Sequence, residues 1–251
     1  MPLLDHLVEL RQRLLISMIG LLLAFGLCYH FSSEIFGWLM EPLSQIFEGQ
    51  TGRRMIYTGL TEAFFTYVKV AFWAGVCLSF PIIASQVWMF VAPGLYKNER
   101  RAFLPFLAAT PVLFAAGASL ARYVIFPMAW RFFVSFETPA ADGQLPIQLE
   151  AKVDQYLSLV MTLIFAFGLS FQLPVLLTLL ARVGIVSSQM LSSKRRYAIV
   201  GVFVFAAVVT PPDVISQVSL AIPMILLYEI SIWSARLIER QRAQREAAEA
   251  S

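Results

Sequence analysis

The chain has 251 residues, of which 59% are hydrophobic and only 14% are charged, and its mean hydropathy is +0.72. Soluble domains carry about 45–50% apolar and about 25% charged residues, so the composition excludes an ordinary soluble fold, a disordered chain and a collagen-like fibre. The net charge of +3 is not concentrated on one face or arm, which argues against nucleic-acid binding. We therefore expect an all-α polytopic membrane protein whose surplus apolar surface is covered by the lipid bilayer.

Six apolar segments predict six transmembrane helices. They cover residues 14–31, 70–92, 102–121, 156–181, 198–209 and 214–233. The fifth segment has only 12 residues, or about 18 Å of helix, against the roughly 30 Å thickness of the hydrocarbon core. The Thr-Pro-Pro-Asp sequence at 210–213 then reverses the chain, because proline cannot continue the incoming helix. The last two segments are therefore expected to form a short hairpin, and a re-entrant loop that never crosses is the alternative.

The distribution of basic residues predicts that both termini are cytoplasmic. Thirteen of the nineteen Lys and Arg residues fall on the side of the membrane that holds the termini. Most of the acidic residues fall in the loops on the opposite side. On this reading residues 1–235 form the six-span membrane domain, and residues 236–251 form a polar cytoplasmic tail.

Two long loops on the outer side are expected to be ordered. Apolar stretches around Trp38 and Trp130 predict short helices that lie at the membrane interface and form an outer cap. Arg122, at the outer end of the third span, is expected to extend its guanidinium to the outer interface.

The sequence lacks the motifs of common enzymes. It has no GxxxxGK[ST] phosphate loop, no GxSxG and no HExxH, and its only histidines, His6 and His30, lie at opposite ends of the first span. No span carries a pair of carboxylates for a proton relay. We therefore predict a protein that is not an enzyme and that needs neither a metal nor a cofactor.

Two carboxylates are predicted on the cytoplasmic face. Glu9 lies at the start of the first span, and Glu99 lies in the short turn between the second and third spans. The simpler interpretation is that both are solvated charges at helix ends. The alternative is that they hold planar guanidinium groups near the lipid headgroups, where bidentate hydrogen bonds are strong. That chemistry is what recognition of a pair of arginines requires.

Four stretches of the chain resemble the TatC family, the receptor subunits of the twin-arginine protein translocase. They are HLVELRQR at 6–13, QVWMFVAPGLYKNERR at 86–101, AFGLSFQLPV at 166–175 and TPPDVISQ at 210–217. The likeness runs in order from residue 6 to about residue 223. It implies a multi-pass protein of the bacterial cytoplasmic (inner) membrane that binds Arg-Arg signal peptides and helps to transport folded proteins with the proton motive force. It also implies single-span partners of the TatA and TatB type and a homo-oligomer within a larger complex.

The resemblance further implies a cytoplasmic signal-peptide site. The positions that match Glu9 and Glu99 contact the arginine pair in the family. Those that match Arg11, Phe90 and Lys97 line the same patch.

The resemblance also implies a partner-binding site at the hairpin. Thr210 and Gln217 match polar positions where the single-span subunits dock, and Asp213 between them is expected to cap the outgoing helix. The alternative is that Thr210 bonds back to its own helix and Gln217 caps the turn.

Comparison with the family singles out three further positions, of which one matches the family and two depart from it. Pro42, in the first outer loop, matches a position tied to function. Gln172 replaces a glutamate that many members carry in the fourth span, so either the charge is dispensable or hydrogen bonding by an amide is the shared requirement. Arg122 stands where other members carry an aromatic residue.

Two rival functions remain open at this point. A small-solute secondary transporter would use Gln172 and the proline-bent helices to form a site at the middle of the membrane. A purely structural scaffold is the other, and binding of an Arg-Arg peptide separates it from the receptor.

Overall fold

The computed structural model describes residues 3–48, 52–95, 104–138, 145, 147–210 and 213–249. Within them the chain forms helices α1 Leu3–His30, α2 Ser32–Ile46, α3 Glu62–Leu95, α4 Leu104–Leu120, α5 Phe126–Val134, α6 Val153–Ser170, α7 Leu173–Val183, α8 Ser188–Ser193, α9 Arg195–Val209 and α10 Val214–Glu249. A π-helical turn, Ala121–Ile125, joins α4 to α5. Apart from two isolated bridges in the long loops, these residues form no β-structure, which confirms the predicted all-α fold for the described part of the chain.

Five helical segments of the described chain are long and apolar enough to cross a bilayer. They are His6–His30, Glu62–Phe90, Pro105–Val134, Val153–Val183 and Val214–Gln244. The predicted fifth span lies in α9, which is helical but has only 15 residues, or about 22 Å of helix. Five of the six predicted spans thus meet the requirement for crossing, while crossing by α9 stays a prediction.

The fourth span is interrupted in the middle. Phe171 and Gln172 form a turn between α6 and α7, and Pro174 follows in the first turn of α7. Because proline has no N–H and its ring crowds the preceding turn, the helix is broken there rather than straight. Gln172 is thereby placed at a break in the backbone, in the N-cap position of α7.

The chain packs as two units, of which the first comprises residues 1–86 and 118–165. Here α1 lies against α3 through small residues. A Cβ atom on Gly75 would lie 3.0 Å from the backbone N and Cα of Phe25, so the two helix backbones touch at this glycine. Ala24 and Cys28 are the buried residues of this part of α1.

The second unit comprises residues 87–117 and 166–251. Its helices α7, α8 and α9 pack on α10, which runs unbroken from Val214 to Glu249. The carboxylate of Glu239 accepts a hydrogen bond of 2.7 Å from the backbone N–H of Ser188. Residues 236–249 of the expected polar tail thus continue α10, and Glu239 within them holds the start of α8.

The two long loops form an ordered cluster, called here the loop cap, made of the described residues of 32–61 and 126–152. It contains α2 and α5, as predicted. Arg53 forms a bidentate ion pair with Glu137, with 2.6 Å between Nη1 and Oε1. Glu137 also accepts a bond of 2.8 Å from the backbone N–H of Leu149. One carboxylate thus ties both loops together.

The guanidinium of Arg122 is buried against other residues of the chain and does not extend outward, so the predicted snorkelling conformation is wrong. Only 4% of the surface of Arg122 is exposed. The Nη2 atom donates to the carbonyl of Trp38 at 2.8 Å and to Oε2 of Glu41 at 2.7 Å, while the guanidinium lies 4.8 Å from the centre of the Trp38 ring. Pro42 explains the arrangement: it stands four residues after Trp38 inside α2 and has no N–H, so the helix leaves this carbonyl unpaired. Arg122 supplies the missing donor from another helix.

Candidate functional site

The predicted site residue Glu9 is held near the start of α1 by a side chain of the same helix. Glu9 and Arg13 are four residues apart, so their side chains share one face of α1. Arg13 Nη2 donates to Glu9 Oε1 at 3.4 Å. The side chain of Glu9 is 22% exposed and that of Arg13 is 30% exposed. The carboxylate is therefore partly sheltered but remains within reach of a ligand.

Arg13 is itself anchored to α3. Its Nη1 atom donates to Oε1 of Gln86 at 3.2 Å, and Gln86 is buried. The Nε2 atom of Gln86 donates to Ser85 Oγ at 3.4 Å, which leaves the amide oxygen turned towards Arg13. A continuous set of bonds therefore runs from α3 through Arg13 to the carboxylate of Glu9.

The other predicted residues of the signal-peptide site have different positions. Arg11 is exposed on α1, and Phe90 is partly buried in α3. Lys97 and Glu99 lie outside the described residues, so the predicted pairing of Glu9 with Glu99 stays a prediction. Sequence reasoning assigned no role to Arg13 or Gln86, although the spacing of Glu9 and Arg13 was a signal for their contact.

The predicted partner-binding residues lie at the hairpin between α9 and α10. Asp213 caps α10: its Oδ1 atom accepts a bond of 2.6 Å from the backbone N–H of Ser216, which confirms the predicted cap. Thr210 is buried, and its hydroxyl donates to the carbonyl of Ala206 on its own helix at 2.8 Å. Gln217 Nε2 reaches from α10 to a carbonyl of α9 at 3.3 Å.

Two polar atoms of the hairpin are not satisfied within the described chain. Oδ2 of Asp213 and the hydroxyl oxygen of Ser216 are buried and have no hydrogen-bond partner among the described residues. A buried polar atom without a partner costs about 1–3 kcal/mol. The hairpin thus retains unmet hydrogen-bonding capacity even though Thr210 and Gln217 bond within the chain.

Gln172 uses one end of its amide. Its Nε2 atom donates to the backbone carbonyl of Thr110 at 3.0 Å. The hydroxyl of Thr110 in turn accepts from the indole N–H of Trp88 at 3.0 Å. Oε1 of Gln172 is buried and has no partner among the described residues. The amide nitrogen therefore links α7 to α4, while the amide oxygen has no hydrogen bond from the described residues at the break of the fourth span.

Comparison with known proteins identifies the family. A sequence profile described as "Sec-independent protein translocase protein (TatC)" matches residues 5–223. The TatC protein of Magnetococcus marinus is 52% identical over 248 residues, which cover 99% of this chain and 89% of the relative. The TatC protein of Escherichia coli K12 is 41% identical over 246 residues, which cover 98% of this chain and 92% of the relative.

A solved structure gives the same answer. The crystal structure of a protein described as "Twin Arginine Translocase Receptor- TatC" superposes with a TM-score of 0.78 at 36% identity, over 93% of this chain and 99% of that chain. Sequence and fold agree over nearly the whole length. The chain therefore belongs to the TatC family of Sec-independent protein translocase proteins.

Proposed function

We propose that this chain is the receptor subunit of a twin-arginine translocase, which binds signal peptides with two consecutive arginines and helps to transport folded proteins. The geometry of Glu9 is the observation that carries the proposal. Its carboxylate is held in place on α1, it is partly exposed, and its Oε2 atom makes no hydrogen bond to the described residues. A guanidinium of the signal peptide binds there through charge-assisted hydrogen bonds.

Glu99 binds the second arginine of the signal, and Arg11, Phe90 and Lys97 line the same patch. This part of the proposal rests on the family resemblance of these positions. The patch lies on the cytoplasmic side, because the excess of basic residues near the termini orients both of them towards the cytoplasm. The membrane is the bacterial cytoplasmic (inner) membrane.

The hairpin is the docking site for single-span partners of the TatA and TatB type. A polar side chain of a partner helix forms a hydrogen bond with Gln217, which is partly exposed on α10, while Thr210, Asp213 and Ser216 shape the hairpin behind it. Hydrogen bonds of this kind between membrane helices contribute roughly 0.6–2 kcal/mol each.

Two other residues act on the architecture of the receptor. Pro42 exposes the carbonyl that Arg122 binds and so fixes α2 within the loop cap. Gln172 links α7 to the backbone of α4 at the break of the fourth span through the hydrogen bond of its amide.

The chain performs no chemistry of its own. The sequence has no nucleotide-binding loop, and the proton motive force supplies the energy for transport. Several copies of the chain work together with the partner subunits in one complex.

Transport by membrane vesicles tests the proposal. The vesicles contain this chain and its TatA- and TatB-type partners, and the cargo is a folded fluorescent protein with an Arg-Arg or a Lys-Lys signal. We expect uptake of the Arg-Arg cargo only, loss of uptake with Glu9→Gln, and loss when a protonophore collapses the gradient. Equal uptake of both cargoes, or uptake that ignores Glu9→Gln, would contradict the proposal.

A further inference from the structure

We propose that Arg13 and Gln86 are positioning residues that set the preference of the receptor for arginine over lysine. The inference rests on the proposed function of Glu9 and assigns a role to two residues that the family resemblance leaves without one. Both act through Glu9 rather than by a contact with the signal peptide.

Arg13 connects Glu9 to a second helix. Gln86 is buried on α3 and accepts the hydrogen bond from Arg13 Nη1, so the guanidinium is fixed by a second helix. The opposite arm of the same guanidinium holds Glu9 Oε1 at 3.4 Å. A long side chain such as that of glutamate loses considerable rotamer freedom when it binds a ligand. Because Arg13 has already restricted the side chain of Glu9, less of that cost remains for the signal peptide.

The oxygens of Glu9 retain free hydrogen-bonding sites while Arg13 is bound. An ionised carboxylate offers about four lone-pair sites, and Arg13 uses one of them. Oε2 carries no hydrogen bond from the described residues, and Oε1 keeps a second lone pair. The carboxylate can therefore accept a further planar guanidinium while it remains bound to Arg13.

Arg13 also balances the charge of Glu9. Glu9 and Arg13 together are neutral, so an approaching cation gains little from net attraction. An ammonium is a compact and strongly hydrated point charge that depends on that attraction. A guanidinium is more weakly hydrated and gains from two directed hydrogen bonds to one carboxylate. The resident Arg13 therefore weakens binding of lysine more than binding of arginine.

A purely structural role predicts something else. An ion pair four residues apart in a helix also stabilises that helix, and its loss would then change the affinity for both ligands by the same factor. The ratio of the two affinities separates the roles, because only a residue that shapes the binding carboxylate changes it.

The test measures binding of synthetic Arg-Arg and Lys-Lys signal peptides to the full chain in lipid nanodiscs. The variants are Arg13→Gln, Arg13→Lys, Gln86→Leu and Glu9→Gln. Arg131→Gln is the matched control, because it removes one exposed positive charge from α5 in the loop cap.

Arg13→Gln is expected to lower the ratio of Arg-Arg to Lys-Lys affinity about tenfold, which corresponds to about 1.4 kcal/mol. The change comes chiefly from tighter binding of the Lys-Lys peptide to Glu9, whose negative charge Arg13 no longer neutralises. This change becomes smaller at high salt. Gln86→Leu is expected to lower the ratio about threefold, since Arg13 keeps its charge but loses its anchor. Arg13→Lys gives an intermediate ratio, and Arg131→Gln leaves the ratio unchanged.

The outcomes distinguish this inference from the proposed function. An unchanged ratio in Arg13→Gln and Gln86→Leu, together with loss of the preference in Glu9→Gln, would overturn the positioning role alone. Equal binding of both peptides to the wild-type chain would overturn the receptor proposal and the inference with it. If Arg13→Gln does not fold, Gln86→Leu carries the same test from the other helix.

Discussion

Replacing Arg122 should loosen the loop cap in a way that depends on Pro42. Arg122→Met keeps most of the aliphatic side chain but removes the donor to the Trp38 carbonyl and the ion pair with Glu41. The hydrogen bond to the Trp38 carbonyl lies in a part-buried site, where a polar group left without a partner costs up to about 1–3 kcal/mol. The side chain of Glu41 is 51% exposed and regains water, so its lost pair adds at most about 1 kcal/mol. We expect the free energy of unfolding to fall by about 1–3 kcal/mol, because loss of the buried charge relieves its own desolvation.

The dependence on Pro42 gives the prediction its specificity. Pro42→Ala restores an N–H group four residues after Trp38, and that N–H can take over the Trp38 carbonyl within α2. In the Pro42→Ala background, Arg122→Met should therefore cost less than in the wild-type chain. We expect a coupling free energy of about 1–2 kcal/mol between the two positions, within the range seen for residues that share a partner.

Denaturant unfolding of the purified protein in detergent micelles, followed by circular dichroism, measures each arm of the cycle. Arg131→Met is the control, because it removes an exposed arginine of the same cap and should change the stability by no more than about 0.5 kcal/mol. Equal costs of Arg122→Met in both backgrounds would refute the reasoning, since they would show that the Trp38 carbonyl does not connect Pro42 with Arg122.

Two further predictions concern packing and pH. A Cβ atom at Gly117 would lie 2.4 Å from the carbonyl oxygen of Phe167, so Gly117→Ala should lower the stability by about 1–3 kcal/mol. A Cβ atom at Gly26 would have no atom within 4 Å, so Gly26→Ala should be neutral or stabilising by up to about 1 kcal/mol. Thermal unfolding compares the two variants, and equal melting temperatures would contradict the close packing at Gly117. The hydrogen bond from Arg53 lowers the pKa of Glu137, so the unfolded chain binds this proton more readily than the folded one. The stabilisation is therefore fully present above about pH 4.3, the ordinary pKa of glutamate, and is lost as the pH falls from there through the lower pKa of the folded state. In a measurement of the protease resistance of the loop cap against pH, Glu137→Gln should remove this contribution to the fall in resistance at acid pH. An unchanged fall in resistance would contradict the prediction.

The membrane helices could be predicted because the bilayer imposes a length and a composition that a sequence displays directly. The hairpin turn could be predicted as well, because the cap at Asp213 depends on residues that are only three apart in the chain. The function followed from four short motifs in order rather than from physical pattern. Local spacing and motif order thus account for most of what the sequence revealed.

The errors concern contacts between residues far apart in the chain. Arg122 looked like an interfacial arginine because nothing near it in sequence reveals a carbonyl freed by Pro42, and Trp38 lies 84 residues away. Gln86 and Arg13 are 73 residues apart, so the anchor of Glu9 was equally invisible. A sequence pattern identifies which groups are polar, but only the fold shows which of them have partners.

The most direct test of the receptor function is the binding of an Arg-Arg signal peptide, compared with its Lys-Lys counterpart, to the wild-type chain and to Glu9→Ala and Glu99→Ala in a membrane. We expect a clear preference for arginine in the wild type and its loss in both variants, with each variant still folded. Equal binding of both peptides to all three proteins would contradict it and would return both glutamates to the role of solvated charges at helix ends.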